Sequence, residues 1–166
     1  QNYGYHLPPK MMPDVGKTVK SASDQLGKEL IPEEVFEIFR KEYINYFDPL
    51  DITAADFINL PEKRISAKIV VMKDGERREL SATGNGHLNA VANALKENLG
   101  YQFHLTSYSE HALEDEKGTS SLAAAYVGIS NGGRETIWGI GIHGDIMAAS
   151  VNALVSAINR MERGTK

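Results

Sequence analysis

Apolar positions along this chain follow two rhythms, a helical one up to about Leu50 and a strand-and-helix alternation beyond it. Val35, Ile38, Phe39, Tyr43, Tyr46 and Phe47 recur at three- and four-residue spacings, which stacks them into one stripe of an amphipathic helix. Pro32 suits a first helical position, and Glu33 and Glu34 meet the positive end of the helix dipole. Asp48-Pro49 is expected to end this helix. An earlier one is expected over residues 13–26, stopped at Gly27, and Pro8-Pro9-Lys10 before it reads as extended chain or a turn.

From Asp51 onward strands take over. Residues 64–73 alternate, with Ile65, Ala67, Ile69 and Val71 on one face, and the Asp74-Gly75 pair marks a tight hairpin into a return strand over 77–83. Gly84-Asn85-Gly86 then leads into a helix over 87–99, with Leu88, Val91, Ala92, Leu95 and Leu99 on one side and Gly100 as the stop. A long strand is expected over 101–112, a polar turn over 114–118 and a further strand over 120–130. Asn131-Gly132-Gly133 marks a second hairpin into a strand over 135–143. Asp145 is placed to cap a last helix over 146–161.

The two halves of this second region repeat. Ala90-x-x-Asn93-Ala94-Leu95 and Ala149-x-x-Asn152-Ala153-Leu154 stand 59 positions apart, and the order of elements repeats with the letters, which points to duplication of one supersecondary unit. The expected organisation is α+β: a helical subdomain over 1–50, then a domain over 51–166 built from two similar strand-and-helix units.

Composition narrows the function. A net charge of −4 and no basic run longer than two residues, as at Arg77-Arg78, argue against nucleic acid and anionic membrane. No apolar run approaches the roughly 18 residues that would span a bilayer. With no cysteine, disulfides, thiolate metal sites and a cysteine nucleophile are excluded; the same absence fits a cytoplasmic protein. The first residue is Gln1, so the chain is read as part of a longer polypeptide whose chemistry lies upstream.

Candidate chemistry centres on Gly84-Asn85-Gly86. Glycines at a strand-to-helix turn permit positive φ and close approach of a ligand, and the helix behind them offers unpaired N–H groups that suit a carboxylate. The alternative is a bare turn. The motif is neither a dinucleotide fingerprint, which would need glycine at Asn89, nor a phosphate loop. The five histidines (His6, His87, His104, His111 and His143) show no metal-binding spacing and read as satisfied or surface groups. His104 and His111, seven apart, would face opposite sides of a continuous strand. No G-x-S-x-G elbow is present. In the run from Ile137 to Ile142, Trp138, Ile140 and Ile142 share one face and Gly139 and Gly141 the other. That glycine face admits a close helix backbone or a ligand, the helix being the favoured reading.

Four strings together resemble the carboxy-terminal part of 2-isopropylmalate synthases. The turn from Ala82 to Ala90 is similar to that family's G-N-G-P-[LI], with His87 in the proline's place, and the stretch from Tyr108 to Leu113 is similar to Y-x-E-H-A-[LM]. The stretch from Trp138 to Ile142, followed by Ser156-Ala157-Ile158-Asn159-Arg160, resembles W-G-[VI]-G and S-A-[LIV]-N-R. The opening from Tyr3 to Pro8 resembles the start of the linker. The resemblance implies a helical linker followed by a regulatory domain of duplicated βββα units, two sheets with two helices, that pairs into a homodimer and binds L-leucine for feedback inhibition. It implies a leucine pocket from Gly84, Gly86, Leu88, Asn89, Leu105, Tyr108, Ala112 and Ile146. The implied parent joins acetyl-CoA to 2-oxoisovalerate in a TIM barrel with a divalent metal, outside this chain, so the chain alone is expected to be inactive and to hold no cofactor. Tyr3, His6 or Tyr43 would lie toward a partner subunit's active site. Two other readings stay open: the isoleucine-sensing domain of a citramalate synthase, and a dimerisation module without ligand.

Overall fold

The computed structural model describes residues 4–113, 121–133 and 135–164. Two helices, α1 (Met12–Leu26) and α2 (Pro32–Tyr43), precede β1 (Leu50–Leu60), β2 (Arg64–Lys73), β3 (Glu76–Gly84) and α3 (His87–Leu99). The order then repeats with β4 (His104–Leu113), β5 (Leu122–Ser130), β6 (Ile137–His143) and α4 (Ile146–Gly164). Each unit is an antiparallel meander, β1-β2-β3 or β4-β5-β6, followed by a helix. The duplication extends to an irregularity: β1 slips register at Thr53 and β4 slips register at Thr106, the same place in each unit.

Punctuation follows local chemistry. Gly27 and Gly100 end α1 and α3 in the left-handed conformation, at φ 67 and φ 77. Asp74 and Gly75, both at positive φ, turn the first hairpin. The Asp145 carboxylate accepts the Ala148 N–H at 3.0 Å and caps α4. The polar turn expected over 114–118 lies outside the described residues.

One hydrophobic cluster takes Ile65, Ala67, Ile69 and Val71 from β2, Ala125, Val127 and Ile129 from β5, and the inner faces of α3 and α4. α3 packs on β3 and β2; α4 packs on β6 and β5 and also reaches β1. The far side of the second sheet is covered as well. Ala124, Tyr126, Trp138 and Ile140 meet Met11, Phe39 and Tyr43 of the helical segment. Strand β5 is therefore buried on both faces, which explains its nearly unbroken apolar run. The far side of the first sheet is mixed: Lys68 and Arg77 lie beside Glu79 at 3.6 and 3.2 Å, and Ile58, Val70 and Met72 share that face.

Three expectations are corrected. Helix α2 stops at Tyr43, short of Asp48-Pro49, because the chain there pairs with a sheet edge. Ile44 bridges Ile140, the Asn45 N–H reaches Ile140 O at 2.9 Å, and the Asn45 carboxamide bonds both ways with Ile142. Tertiary pairing thus overrides the helical spacing of Tyr46 and Phe47. Strand β1, which periodicity did not delimit, begins at Leu50. The slip at Thr106 turns His104 and His111 onto the same face of β4, opposite Ser130 and Ala124.

Candidate functional site

Gly139 and Gly141 serve helix packing. A Cβ at Gly141 would stand 1.9 Å from Ala149 O, and one at Gly139 would stand 2.3 Å from Ala153 O, so α4 lies directly on the β6 backbone. Gly84 does the same for α3: a Cβ there would meet Ala90 N and Asn89 Oδ1 at 2.6 Å. The expected positive φ is absent from this turn; Gly86 is extended, at φ −161, and an added Cβ would meet open space.

Around Gly84 the turn is held by side chains. Asn89 Oδ1 accepts the Asn85 N–H at 3.1 Å, and Asn93 Nδ2 donates to Thr83 O at 2.8 Å. Asn89 is thereby committed to the turn. No side chain caps α3, whereas its repeat counterpart α4 is capped by Asp145, which stands where Gly86 stands. The start of α3 is thus left open to an external acceptor.

The slip at Thr106 also brings Leu105, Tyr108 and Ala112 onto one face of β4, opposite Ile129, Val127 and Ala123, on the side where α4 packs. The Tyr108 hydroxyl lies 2.6 Å from Ser150 Oγ in α4 and bonds to Glu110. Burial, with the Glu110 bond next, pushes it up to about 12, so it stays protonated. Tyr108 and Ile146 remain 45% and 38% exposed. The eight residues named from sequence therefore form two groups, one at the start of α3 and one on β4 with the start of α4. Among the described residues no hydrogen bond joins the two groups.

A groove of about 280 Å³ lies between β1 and the first turns of α4, lined by residues that include Ile52, Phe57, Asp145, Met147 and Val151. It holds none of the eight and is the repeat-related counterpart of the α3 site, with Asp145 and Met147 where Gly86 and Leu88 stand.

Sequence reasoning missed how the other motif residues attach the helical segment. His111 Nδ1 donates to Ala112 O at 2.9 Å, which leaves Nε2 to accept the Tyr126 hydroxyl at 2.8 Å and the His6 N–H at 3.2 Å. The two imidazoles stack at 4.2 Å. Arg160 donates to Glu42 at 3.0 Å and Trp138 O at 2.8 Å, and it covers the Tyr43 ring at 4.1 Å. The Tyr43 hydroxyl in turn donates to Asp14 at 2.6 Å. Among the described residues no three His, Asp or Glu side chains converge on a metal position, and no helix is long and apolar enough to cross a membrane.

Residues 29–162 match the family described as the LeuA allosteric (dimerisation) domain. The chain is 43% identical over 161 residues to a 2-isopropylmalate synthase of Desulfitobacterium hafniense, covering 97% of this chain and 28% of that protein. It is 36% identical over 167 residues to one of Helicobacter hepaticus, covering 96% of this chain and 29% of that protein. To one of Mycobacterium leprae it is 35% identical over 162 residues, covering 96% and 26%. The chain spans less than a third of the length of the curated relatives it matches.

Proposed function

The chain belongs to the LeuA allosteric (dimerisation) domain family, and from that premise we propose that it is the leucine-sensing, subunit-pairing part of a cytoplasmic 2-isopropylmalate synthase. The observation that carries the reading is the contrast between the two helix starts. In α4 the Asp145 carboxylate caps the helix start; in α3 no side chain does so, and Gly86 leaves room for a carboxylate. The side chain of the bound amino acid would lie against Leu88, Leu105, Ala112 and Ile146, and burying it fully contributes about 1.5–3 kcal/mol. The exposure of Tyr108 and Ile146 supports a pocket completed by a second copy. Inhibition follows if leucine favours one setting of this domain against the linker, and a coupling of roughly 1–3 kcal/mol is enough. The linker would carry Tyr3, which lies outside the described residues, or His6 toward the partner's active site; Tyr43, fully buried and bonded to Asp14, is committed within the subunit. The domain would begin near residue 51.

The relatives named above are all 2-isopropylmalate synthases and none is a citramalate synthase, which supports the leucine reading over the isoleucine one. The test is calorimetric titration of the chain with each amino acid, alongside its mass in solution. The expected result is a dimer giving saturable heat with L-leucine and weaker binding of L-isoleucine, since moving one methyl is worth about 1–3 kcal/mol. No heat and no thermal shift at millimolar leucine would overturn the reading.

A further inference from the structure

Helix α4 touches the candidate site at one end and the helical linker at the other. Its first turns carry Ile146 and Ser150, the latter beside Tyr108. Its second half carries Ser156, Asn159 and Arg160, about 9–15 Å from Ser150 and about 15–21 Å from Ile146 at 1.5 Å per residue. Every one of those three polar side chains binds the segment that joins linker to sheet. Ser156 Oγ accepts the Tyr46 N–H at 2.8 Å. The Asn159 carboxamide, fully buried, accepts the Leu50 N–H at 3.0 Å and donates to Leu50 O and Tyr46 O at 2.8 Å each. Arg160, whose side chain is 10% exposed, joins Glu42 of α2, Trp138 O of β6 and, at 3.7 Å, Asp14 of α1.

The same segment has a second anchor. Ile44 and Asn45 pair with Ile140 and Ile142 of β6. Residues 42–50 thus form a strap between β6 and α4. The helix meets β6 through Gly139 and Gly141, where no side chain interlocks with it. A helix transmits a displacement along its length because its internal hydrogen bonds resist local deformation, so a shift of its first turn against β6 appears at its last. There the strap, held at both ends, must respond. Resting on the leucine-sensing reading above, we infer that the Ser156, Asn159 and Arg160 face of α4 is the element that passes ligand occupancy to the linker. Arg160 is its principal positioning residue, being the side chain that touches α1, α2 and β6 at once.

The test uses the intact synthase that contains this chain, with Arg160→Met and, reading the same contact from the linker side, Glu42→Gln. L-Leucine binding is measured by calorimetry, and inhibition is measured against each variant's own leucine-free rate. The expected result is leucine affinity within roughly threefold of wild type, because the site is distant, with the leucine effect on activity weakened by about fivefold or more. Arg160→Lys, which keeps the charge but not the fork, is expected to fall between. If wild type binds leucine and both variants remain fully inhibited, the coupling role is overturned and the sensor reading stands. If both variants lose binding together with inhibition, the contact is only structural and the inference is likewise overturned. If wild type does not bind leucine, the sensor reading fails first and takes this inference with it.

Discussion

Asn159 grips Leu50 through both sides of its backbone amide, accepting the N–H at 3.0 Å and donating to the carbonyl at 2.8 Å. Both residues are fully buried, so no water can replace a lost partner. Asn159→Leu leaves the Leu50 N–H, the Leu50 carbonyl and the Tyr46 carbonyl short of partners. An unsatisfied buried group costs about 1–3 kcal/mol, so a loss of about 3 kcal/mol or more in urea unfolding is expected. A midpoint unchanged from wild type would mean that the strap is not held here.

Glycine has opposite meanings in β6 and in α1. Gly141→Ala would drive a Cβ into Ala149 O and Ala153 N, and overpacking of this kind costs about 3 kcal/mol. Gly16 lies inside α1 with nothing near a new Cβ, so Gly16→Ala should stabilise by about 1 kcal/mol through helix propensity. Chemical unfolding of the two variants should move the midpoint in opposite directions; movement in the same direction would contradict the packing described.

Glu42 gives the linker junction an acid limit. Burial alone would push its carboxyl up, but hydrogen bonds from Arg163 and Arg160 outweigh burial and hold it below the usual carboxylate range. A group depressed on folding contributes stability that is fully present above its unfolded pKa, about 4.3. That stability is lost as pH falls through the folded value. Urea midpoints from neutral pH to about pH 3 should therefore fall more steeply for wild type than for Glu42→Gln. Parallel curves would show that the Glu42 pairs do not contribute.

Much of this fold can be read from the chain because its local and tertiary signals agree. Asp74-Gly75, the stops at Gly27 and Gly100 and the cap at Asp145 each act through their own backbone, so they stand where spacing places them. The duplication is legible because both helices bury the same small-residue face. What spacing cannot show is pairing at a distance. Asn45 closes the edge of β6 and so ends α2 early, and the slip at Thr106 reverses the faces of β4. The same slip puts Leu105, Tyr108 and Ala112 together, which simple alternation would have separated. The roles of Asn159 and Arg160 were hidden because their partners lie about a hundred residues away.

The contrast between Gly86 and Asp145 allows the site to be closed by design. Gly86 is extended, a conformation open to any residue, and a side chain there enters free space. Gly86→Asp should therefore fold and cap α3 as Asp145 caps α4, adding roughly a few tenths of a kcal/mol of stability, because glycine is already a tolerated N-cap. The new carboxylate would occupy the position assigned to leucine's own. Hydrogen bonds to a charged group are worth about 1.5–3 kcal/mol, so leucine affinity should fall by at least about tenfold. Asp145→Ala is the control: it should lower stability by about 1 kcal/mol and leave leucine affinity unchanged. A Gly86→Asp chain that is more stable and still binds leucine normally would separate the cap from the ligand. The carboxylate would then have to be held elsewhere than at the start of α3.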